Sequence, residues 1–230
     1  MKKGDLRKQE ILDTAEMLFC RNGYEQTSIQ DILDRLKTSK GSFYHHFVSK
    51  EALLEGICRK RAGQIYSAVS ASAGGEESAT AGLDRLLSGM IPFRDEKLSF
   101  LMMLLPIFRL PEGRMVRTAY CEALSEQFGP DVCRFLQAGQ DAGEFSCREP
   151  DIDAGVILAI VNRLWTEICV RFISAEESGE QADVSELLRL ADSYRLTVER
   201  MILLPCGSLH LVDIPTLAHL AEQIHSHWTH

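Results

Sequence analysis

The sequence predicts an all-α protein, and three observations support this class. No segment alternates apolar and polar residues as a half-buried strand does, and apolar residues recur at intervals of three and four along most of the chain. No proline occurs before Pro92, and the seven prolines from there on are spaced as helix ends require. The short β-like run 209–212 lies between a glycine and a proline, so we predict a loop there.

Composition indicates a folded globular protein rather than a fibrous or disordered one. Of the 230 residues, 45 % are hydrophobic and 25 % are charged, close to the averages of globular proteins. The longest apolar stretch, residues 100–108, falls well short of the ~18 residues that a membrane helix needs. No apolar segment typical of a secretion signal follows the basic N-terminus. We therefore predict a cytoplasmic protein without a membrane partner.

The cysteines and histidines indicate neither a disulfide framework nor a metal site. There are seven cysteines, an odd number, and no two of them form a C-x-x-C pair. We expect most to be buried thiols, and redox sensing by one of them is the alternative. The adjacent His45 and His46 point about 100° apart on a helix and do not readily share an ion. We expect no metal and no cofactor.

Charge is distributed unevenly along the chain. The whole chain carries −8, which by itself disfavours a nucleic-acid partner. Residues 1–61, however, contain 12 Lys/Arg against 9 Asp/Glu, a net charge of +3, whereas the remaining 169 residues contain 13 against 24, a net charge of −11. The N-terminal segment is therefore the candidate for contact with nucleic acid.

Two amphipathic helices are predicted near the N-terminus. The first carries four apolar residues on one face: Ile11, Ala15, Leu18 and Phe19. It ends at Asn22-Gly23, because glycine suits the position after a helix end. Thr27 begins the second helix, and residues 27–30 fit a capping box. The apolar face of this helix consists of Ile29, Ile32, Leu33 and Leu36.

A very short third helix and a long fourth helix follow. Ser39 caps the third helix, in which Phe43 and Phe47 lie on one face, and Ser49 caps the fourth. The buried side of the fourth helix consists of Leu53, Leu54, Ile57 and Ile65. Two short helices joined by a three- or four-residue turn and braced by longer helices form a helix-turn-helix unit, which implies DNA binding.

The residues of this unit resemble the tetracycline-repressor (TetR) family. The resemblance lies in Thr27-Ser28-Ile29 with Ile32, in the run Ser39-Lys40-Gly41-Ser42-Phe43-Tyr44-His45-His46-Phe47, and in Ser49-Lys50-Glu51 with Leu53-Leu54. It covers residues 8–55, and beyond residue 65 it is one of length and helical pattern only. Members often have a small residue and then glycine in the turn between the short helices, where this chain has Leu36-Lys37. Either Lys37 takes a left-handed conformation at some cost, or the turn is reshaped.

The resemblance implies two domains. Residues 1–48 would form a three-helix DNA-binding domain, with the fourth helix, residues 49–73, as its connector. Residues 74–230 would form a larger helical ligand-binding and dimerisation domain. Ten residues are expected to contact double-stranded DNA: Thr27, Ser28, Thr38, Ser39, Lys40, Gly41, Ser42, Tyr44, His45 and Lys50.

The roles expected of these residues differ. Lys40 is the best candidate for a base edge, with phosphate pairing as the alternative. Gly41 lets the backbone approach the duplex closely. Tyr44 and Lys50 resemble the family's phosphate contacts, and the alternatives for them are a core tyrosine and a solvated lysine.

Residues at helix N-termini and at the start of the chain also leave alternatives open. Thr27 and Ser28 lie at a helix N-terminus that suits a phosphate, but like the other serines they would also serve as helix caps alone. Three N-terminal lysines are either solvated or part of a basic segment that reaches the adjacent groove: Lys2, Lys3 and Lys8.

A second site is expected around the apolar stretch 100–108. A stretch this apolar is buried on most sides, and in the family this part surrounds a small-molecule pocket. The candidate lining residues are Phe100, Met103, Phe108, Tyr120, Asn162 and Trp165. For each of them, the alternative is a place in the plain core.

Two long helices are predicted to form a dimer interface. Residues 151–172 form a helix that is apolar nearly all round over two turns, so it must be covered on a second side. Residues 185–204 form another long helix, and the pair matches the place where the family builds its two-fold interface. A two-fold dimer is what reading two half-sites requires. We assign no role to a further amphipathic helix over residues 214–227.

Three hypotheses about function remain. The preferred one is a dimeric transcriptional repressor that leaves a palindromic operator when a small, largely apolar effector binds. The alternative keeps DNA binding but gives the helical domain a protein partner. An enzyme is disfavoured, because the sequence has no nucleophile elbow, Gly-rich phosphate loop, H-E-x-x-H motif or paired cysteines. Sequence alone identifies neither the effector nor the operator, and it does not distinguish a repressor from an activator.

Overall fold

The computed structural model describes residues 3–72, 78–93, 95–111 and 113–228. Helices account for most of these residues, and the described ranges contain no strand, which confirms the all-α prediction. The helices are α1 (Lys3–Asn22), α2 (Ile29–Leu36), α3 (Lys40–Tyr44), α4 (Lys50–Ala71), α5 (Ala79–Met90), α6 (Asp95–Ile107), α7 (Gly113–Ala142), α8 (Pro150–Ser178), α9 (Val184–Met201) and α10 (Ile214–Trp228). None of the described helices is long and apolar enough to cross a membrane.

The boundary between α1 and α2 follows from local chemistry. α1 ends at Asn22 as predicted, and Gly23 follows at φ 87°, in the left-handed region that favours glycine. The capping box predicted for residues 27–30 is wrong by one residue, because Ser28 is the N-cap. Ser28 Oγ accepts a 3.1 Å bond from Asp31 N, and Asp31 Oδ2 accepts a 2.7 Å bond from Ser28 N.

The turn between α2 and α3 holds Lys37 at φ 50° and ψ 49°. Lys37 therefore takes the left-handed conformation, which was the first of the two alternatives. Glycine adopts these angles more easily than lysine does. Lys37 N donates to Asp34 O at 3.3 Å and Thr38 N donates to Leu33 O at 3.1 Å, which closes the end of α2.

α3 is shorter than predicted. Ser39 is its N-cap as expected, but the helix ends at Tyr44 rather than at Phe47. Phe43 and Phe47 are nevertheless 0 % and 5 % exposed, with ring centroids 6.0 Å apart. The two phenylalanines therefore anchor the helix and the turn after it to the same core. The predicted cap of α4 is also found, because Ser49 Oγ accepts a 3.1 Å bond from Ala52 N.

Two compact units make up the chain. The first comprises Met1–Arg61 and Ser99–Tyr120, and the second comprises Ala62–Leu98 and Cys121–His230. Within the first unit, Cys20 Sγ donates to Ser99 O at 3.8 Å, and the Arg61 guanidinium lies 5.6 Å from the centre of the Phe100 ring. Segment 99–120 therefore groups with the helix-turn-helix residues, whereas the sequence assigned it to the C-terminal domain. The division at residues 48 and 74 stays a prediction.

Two prolines, Pro106 and Pro130, lie within helices. Pro106 lies in the last turn of α6, and Pro130 lies in the middle of α7. A proline has no N–H to donate to the preceding turn, yet α7 continues through Pro130, so the expectation that prolines mark helix ends fails there. Pro150 follows the expected rule and begins α8.

In the second unit, α8 is longer than the predicted range 151–172. α10 packs against α8 and α9, which gives the helix without an assigned role a structural one. Eleven residues of α8 are buried, among them Trp165. Three large apolar residues of the same helix remain exposed: Ile152 at 55 %, Val156 at 43 % and Val170 at 39 %.

Candidate nucleic-acid interface

Most of the predicted DNA-contacting residues lie on α3 and in the turns beside it. Thr38 and Ser42 are half-buried, and Lys50 at the start of α4 is half-buried as well. Six of the ten are exposed to solvent: Ser28, Ser39, Lys40, Gly41, Tyr44 and His45. An exposed lysine in the first turn of a short helix is able to reach a base edge in the major groove.

Gly41 has space around it that the protein itself does not use. A Cβ atom built at this position would meet only Ser39 Oγ, at 3.9 Å. Packing within the chain therefore does not demand a glycine here, although glycine costs about 1 kcal/mol against alanine inside a helix. Close approach of DNA to this backbone, which the sequence analysis expects, stays a prediction.

Tyr44 is held in place by the core although it is exposed. Its ring packs edge-on against Phe43 with centroids 5.3 Å apart, while 51 % of the residue is accessible. The tyrosine is therefore not a core residue, which removes the structural alternative. A phenol held on one side and open on the other can donate its O–H to a phosphate oxygen.

Thr27 has a structural role instead of the expected phosphate contact. Its side chain is 0 % exposed, and Thr27 Oγ1 donates to Gly23 O at 2.8 Å. The hydroxyl thus ties the start of α2 to the end of α1. Ser28, one residue later, is exposed, but its backbone N–H is already bonded to Asp31, whose carboxylate would repel a phosphate.

The Lys50 ammonium turns toward the domain rather than away from it. Lys50 Nζ donates to Tyr24 O at 2.5 Å and lies 4.1 Å from the centre of the Tyr24 ring. Burial lowers the pKa of Lys50, and the carboxylates of Glu51, Glu25 and Asp31 act in the opposite direction. The structure thus favours a bracing role for this lysine over the phosphate contact that the resemblance implies.

A buried ion cluster joins α1 to α4, and the sequence analysis missed it. Glu16 is 4 % exposed, accepts a 2.6 Å bond from Lys60 Nζ and pairs with Arg61. Lys60 also bonds Asp13 at 2.5 Å. Glu16 lies four residues after the buried Leu12 on a helix whose other buried positions are apolar, and this break in the pattern was the available signal.

The candidate pocket residues are all buried, and they lie in different units. Phe100, Met103, Phe108 and Tyr120 belong to the first unit, and Asn162 and Trp165 belong to the second. In the first unit, the rings of Phe100 and Tyr120 pack edge-on at 5.5 Å, and the Arg117 guanidinium lies 5.5 Å from the centre of the Phe108 ring. Such contacts suit a core as well as a pocket wall.

Asn162 is the polar residue of this set, and its amide is engaged. Asn162 Nδ2 donates to Cys121 O at 3.2 Å and to Ser125 Oγ at 3.0 Å, while Asn162 Oδ1 accepts a 3.0 Å bond from Trp165 Nε1. This network joins α8 to α7 in the second unit. A separate cavity of about 60 Å³ in that unit is lined by none of the six candidates but by residues that include Ser88, Phe93 and His210.

The sequence of the chain is similar to those of known bacterial regulators. Residues 11–57 match the family model described as bacterial regulatory proteins, tetR family. The chain is 29 % identical to YerO, an HTH-type transcriptional regulator of Bacillus subtilis, over 52 % of this chain and 42 % of YerO. It is 30 % identical to AcnR, an HTH-type transcriptional repressor of Corynebacterium efficiens, over 58 % of this chain and 68 % of AcnR. The chain thus spans less than half of YerO and about two thirds of AcnR.

The fold extends this similarity over almost the whole chain. The crystal structure of RolR in complex with resorcinol superposes with a TM-score of 0.55, at 15 % sequence identity, and the match covers 96 % of this chain and 95 % of RolR. At this identity the match concerns the fold alone.

Proposed function

Because this chain belongs to the tetR family of bacterial regulatory proteins, we propose that it is a dimeric, cytoplasmic repressor of transcription. Members of the family are DNA-binding regulators and not enzymes. The proposed repressor binds a palindromic operator and leaves it when a small, largely apolar effector binds the helical region that follows the helix-turn-helix unit.

The observation that carries the proposal is the exposed first turn of α3. Lys40 and Gly41 are exposed there, while Phe43 and Phe47 fix the helix to the core of the first unit. A rigid helix with an open N-terminal turn is what base reading in the major groove requires. The AcnR similarity supports repression in particular, because AcnR is an HTH-type transcriptional repressor.

Support for a dimer comes from α8. Ile152, Val156 and Val170 are exposed on a helix whose other large apolar residues are mostly buried. On a helix, these three positions fall on one stripe. Packing of this stripe against a second copy would remove it from water, and a two-fold dimer contains two copies of α3, one for each half-site.

Support for an effector is of two kinds. The stretch from Phe100 to Phe108 is almost entirely buried, so the apolar residues that would line a pocket are inside the protein. RolR, which has the same fold, has been crystallised with resorcinol, so this fold is able to hold a small aromatic compound.

Selection from random duplex DNA, followed by footprinting with the full chain, tests the proposal. We expect a selected sequence with two inverted half-sites, both protected in the footprint. In light scattering, the protein should have twice the mass of one chain. Lys40→Ala should lower affinity for the selected site by ~1–3 kcal/mol per half-site and relax discrimination at one base pair.

A matched pair of variants tests the dimer separately. Val156→Glu should give monomers that bind a half-site weakly, because a carboxylate would be buried in the interface. Met115→Glu, at an apolar residue of α7 that is 59 % exposed and outside the two predicted interface segments, should stay dimeric. A wild-type chain that is monomeric at micromolar concentration, or that selects no sequence, would refute the proposal.

A further inference from the structure

Three cations lie in and beside the turn between α2 and α3, next to the helix that we expect in the major groove. Arg35, Lys37 and Lys40 are all exposed. None of their side chains forms an ion pair or a hydrogen bond with another residue that the structure describes. The carboxylate of Asp34, in the last turn of α2, accepts a 2.7 Å bond from Gln30 Nε2. The three cations are therefore available to an anion from outside the chain.

Other cations of the first unit are engaged within the protein. Lys60 and Arg61 pair with the buried Glu16. Lys50, at which the resemblance implies a phosphate contact, donates to Tyr24 O at 2.5 Å. The cations beside α3 are therefore better placed than these three to bind a phosphate.

Lys37 differs from the other two exposed cations in its backbone. It has φ 50° and ψ 49°, angles that are costly for a residue with a Cβ atom and ordinary for glycine. Its backbone N–H donates to Asp34 O at 3.3 Å, and a glycine would form this bond equally well. The side chain is exposed, so packing does not hold it. What the lysine adds to this turn, in comparison with a glycine, is a positive charge on a long stem.

This charge lies close in the chain to the first turn of α3. Lys37 precedes Ser39, the N-cap of α3, by two residues, and it precedes Lys40, the candidate for a base edge, by three. Three residues of extended chain span at most ~11 Å, and the major groove is ~12 Å wide. Sugar-phosphate strands border that groove on both sides. When Lys40 lies at a base edge, the ammonium of Lys37 is therefore within reach of a backbone phosphate.

We propose that Lys37 binds a phosphate of the DNA backbone, so that the left-handed turn of this chain raises DNA affinity at the expense of fold stability. The ligand is a phosphodiester, whose single negative charge is the same at every base sequence. This inference rests on the proposed function. It adds a contact that the sequence analysis did not include, at a position where members of the family often have an uncharged glycine.

Binding of the full chain to a random-sequence duplex across a salt series tests the inference, and no operator is needed. Lys37→Gly should make the slope of log affinity against log salt shallower by ~0.9 per protomer, which corresponds to an affinity about eightfold lower per protomer at ~0.1 M salt. The variant should nevertheless unfold at the wild-type temperature or up to about 4 °C higher, because glycine takes the left-handed angles without strain.

Three further variants separate the charge from the backbone conformation. Lys37→Asn removes the charge but tolerates the left-handed region, so its slope should match that of Lys37→Gly. Lys37→Arg keeps the charge and should keep the wild-type slope. Arg148→Gln removes one positive charge from an exposed position of the second unit and should keep the wild-type slope as well.

The selected operator distinguishes a phosphate contact from a base contact. Lys37→Gly should lower affinity for the operator and for the random duplex by the same factor, and a loss confined to the operator would overturn the inference. A Lys37→Gly slope equal to that of the wild type would also overturn it. So would a Lys37→Arg slope as shallow as that of Lys37→Gly, because the loss would then not follow the charge. Absence of wild-type binding at every salt concentration would instead refute the proposed function.

Discussion

At the scale of single residues, position in a motif and role in the structure diverge most clearly at Lys50. The motif implies a phosphate contact, yet the ammonium is bonded to the Tyr24 carbonyl and lies over the Tyr24 ring. Phe19 packs edge-on against Tyr24 at 5.1 Å, so Lys50 braces the turn that leads from α1 to α2. A motif specifies the residue type at a position, whereas the direction of a long flexible side chain depends on the residues that surround it.

Lys50→Met should therefore affect stability more than phosphate contacts. The methionine keeps much of the apolar stem but loses the hydrogen bond and the cation over the ring, at a cost of ~1–3 kcal/mol in the free energy of unfolding. Urea denaturation measures this cost. The slope of log affinity against log salt should stay close to that of the wild type. A slope shallower by about 2 in the dimer would instead identify Lys50 as a phosphate ligand.

Gly41→Ala should separate folding from DNA binding. The new methyl group meets only Ser39 Oγ at 3.9 Å, and alanine is the better helix former, so stability should be unchanged or up to about 1 kcal/mol higher. Affinity for the operator should fall, because the methyl group lies between the backbone and the duplex. Thermal unfolding and operator titration of the same sample give both quantities. Undiminished affinity would show that the duplex does not approach this backbone.

At the scale of elements, helix ends depend on residues that are remote in sequence. The N-terminus of α5 is capped by Ser78, and Glu144, beyond the end of α7, accepts bonds from Ala79 N at 3.0 Å, Thr80 N at 2.8 Å and Thr80 Oγ1 at 2.7 Å. These bonds, first of all those from Thr80, lower the pKa of the Glu144 carboxyl, against a smaller opposing effect of burial. The helix end and the loop after α7 therefore stabilise each other.

Glu144→Gln should weaken the pH dependence of the free energy of unfolding in the acid range. A carboxyl with a lowered pKa in the folded state contributes stability above its ordinary pKa of 4.5, and that contribution is lost as the pH falls through the lowered value. The variant should be less stable than the wild type at pH 7, by ~1 kcal/mol, and the difference should shrink as the solution is acidified. Urea denaturation across the acid range measures it. Glu122→Gln, at an exposed position of α7, is the matched control and should leave the free energy of unfolding at pH 7 nearly unchanged.

At the scale of the whole molecule, the first unit combines segments that are far apart in the chain. Residues 99–120 group with residues 1–61, and Arg61 contacts both Glu16 of α1 and Phe100 of α6. The ion cluster of Asp13, Glu16, Lys60 and Arg61 therefore lies where the helix-turn-helix segment meets α4 and α6. Its buried carboxylate fixes the relative position of α1 and α4.

Glu16→Gln should destabilise the protein far more than the loss of a surface ion pair. Removing the buried carboxylate leaves Arg61 without this partner and weakens the bonding of Lys60, which costs about 3 kcal/mol in the free energy of unfolding. Glu10→Gln breaks the more exposed pair with Arg7 and should cost less than about 1 kcal/mol. Chemical denaturation compares the two variants. Equal costs would show that the cluster contributes no more than a surface pair.

Much of the fold and of the candidate site could be predicted from the sequence. The helical class, the Ser39 and Ser49 caps, the burial of Phe43 and Phe47 and the end of α1 all depend on residues within a few positions of each other. The errors were local as well. The α2 capping box moved by one residue, because Asp31 at the third helical position accepts the bond that Gln30 was expected to accept.

The helical segments, and the short helix that carries the exposed Lys40 and Gly41, could be read from the chain alone, because helical periodicity and capping are local properties. Other facts appear only in the folded structure: Thr27 is buried, Lys50 faces Tyr24, Glu16 lies among cations and Lys8 lies over the Phe47 ring. Each of these facts depends on contacts between helices, and a side chain's partner across such a contact is set by packing of the whole unit rather than by its neighbours in sequence.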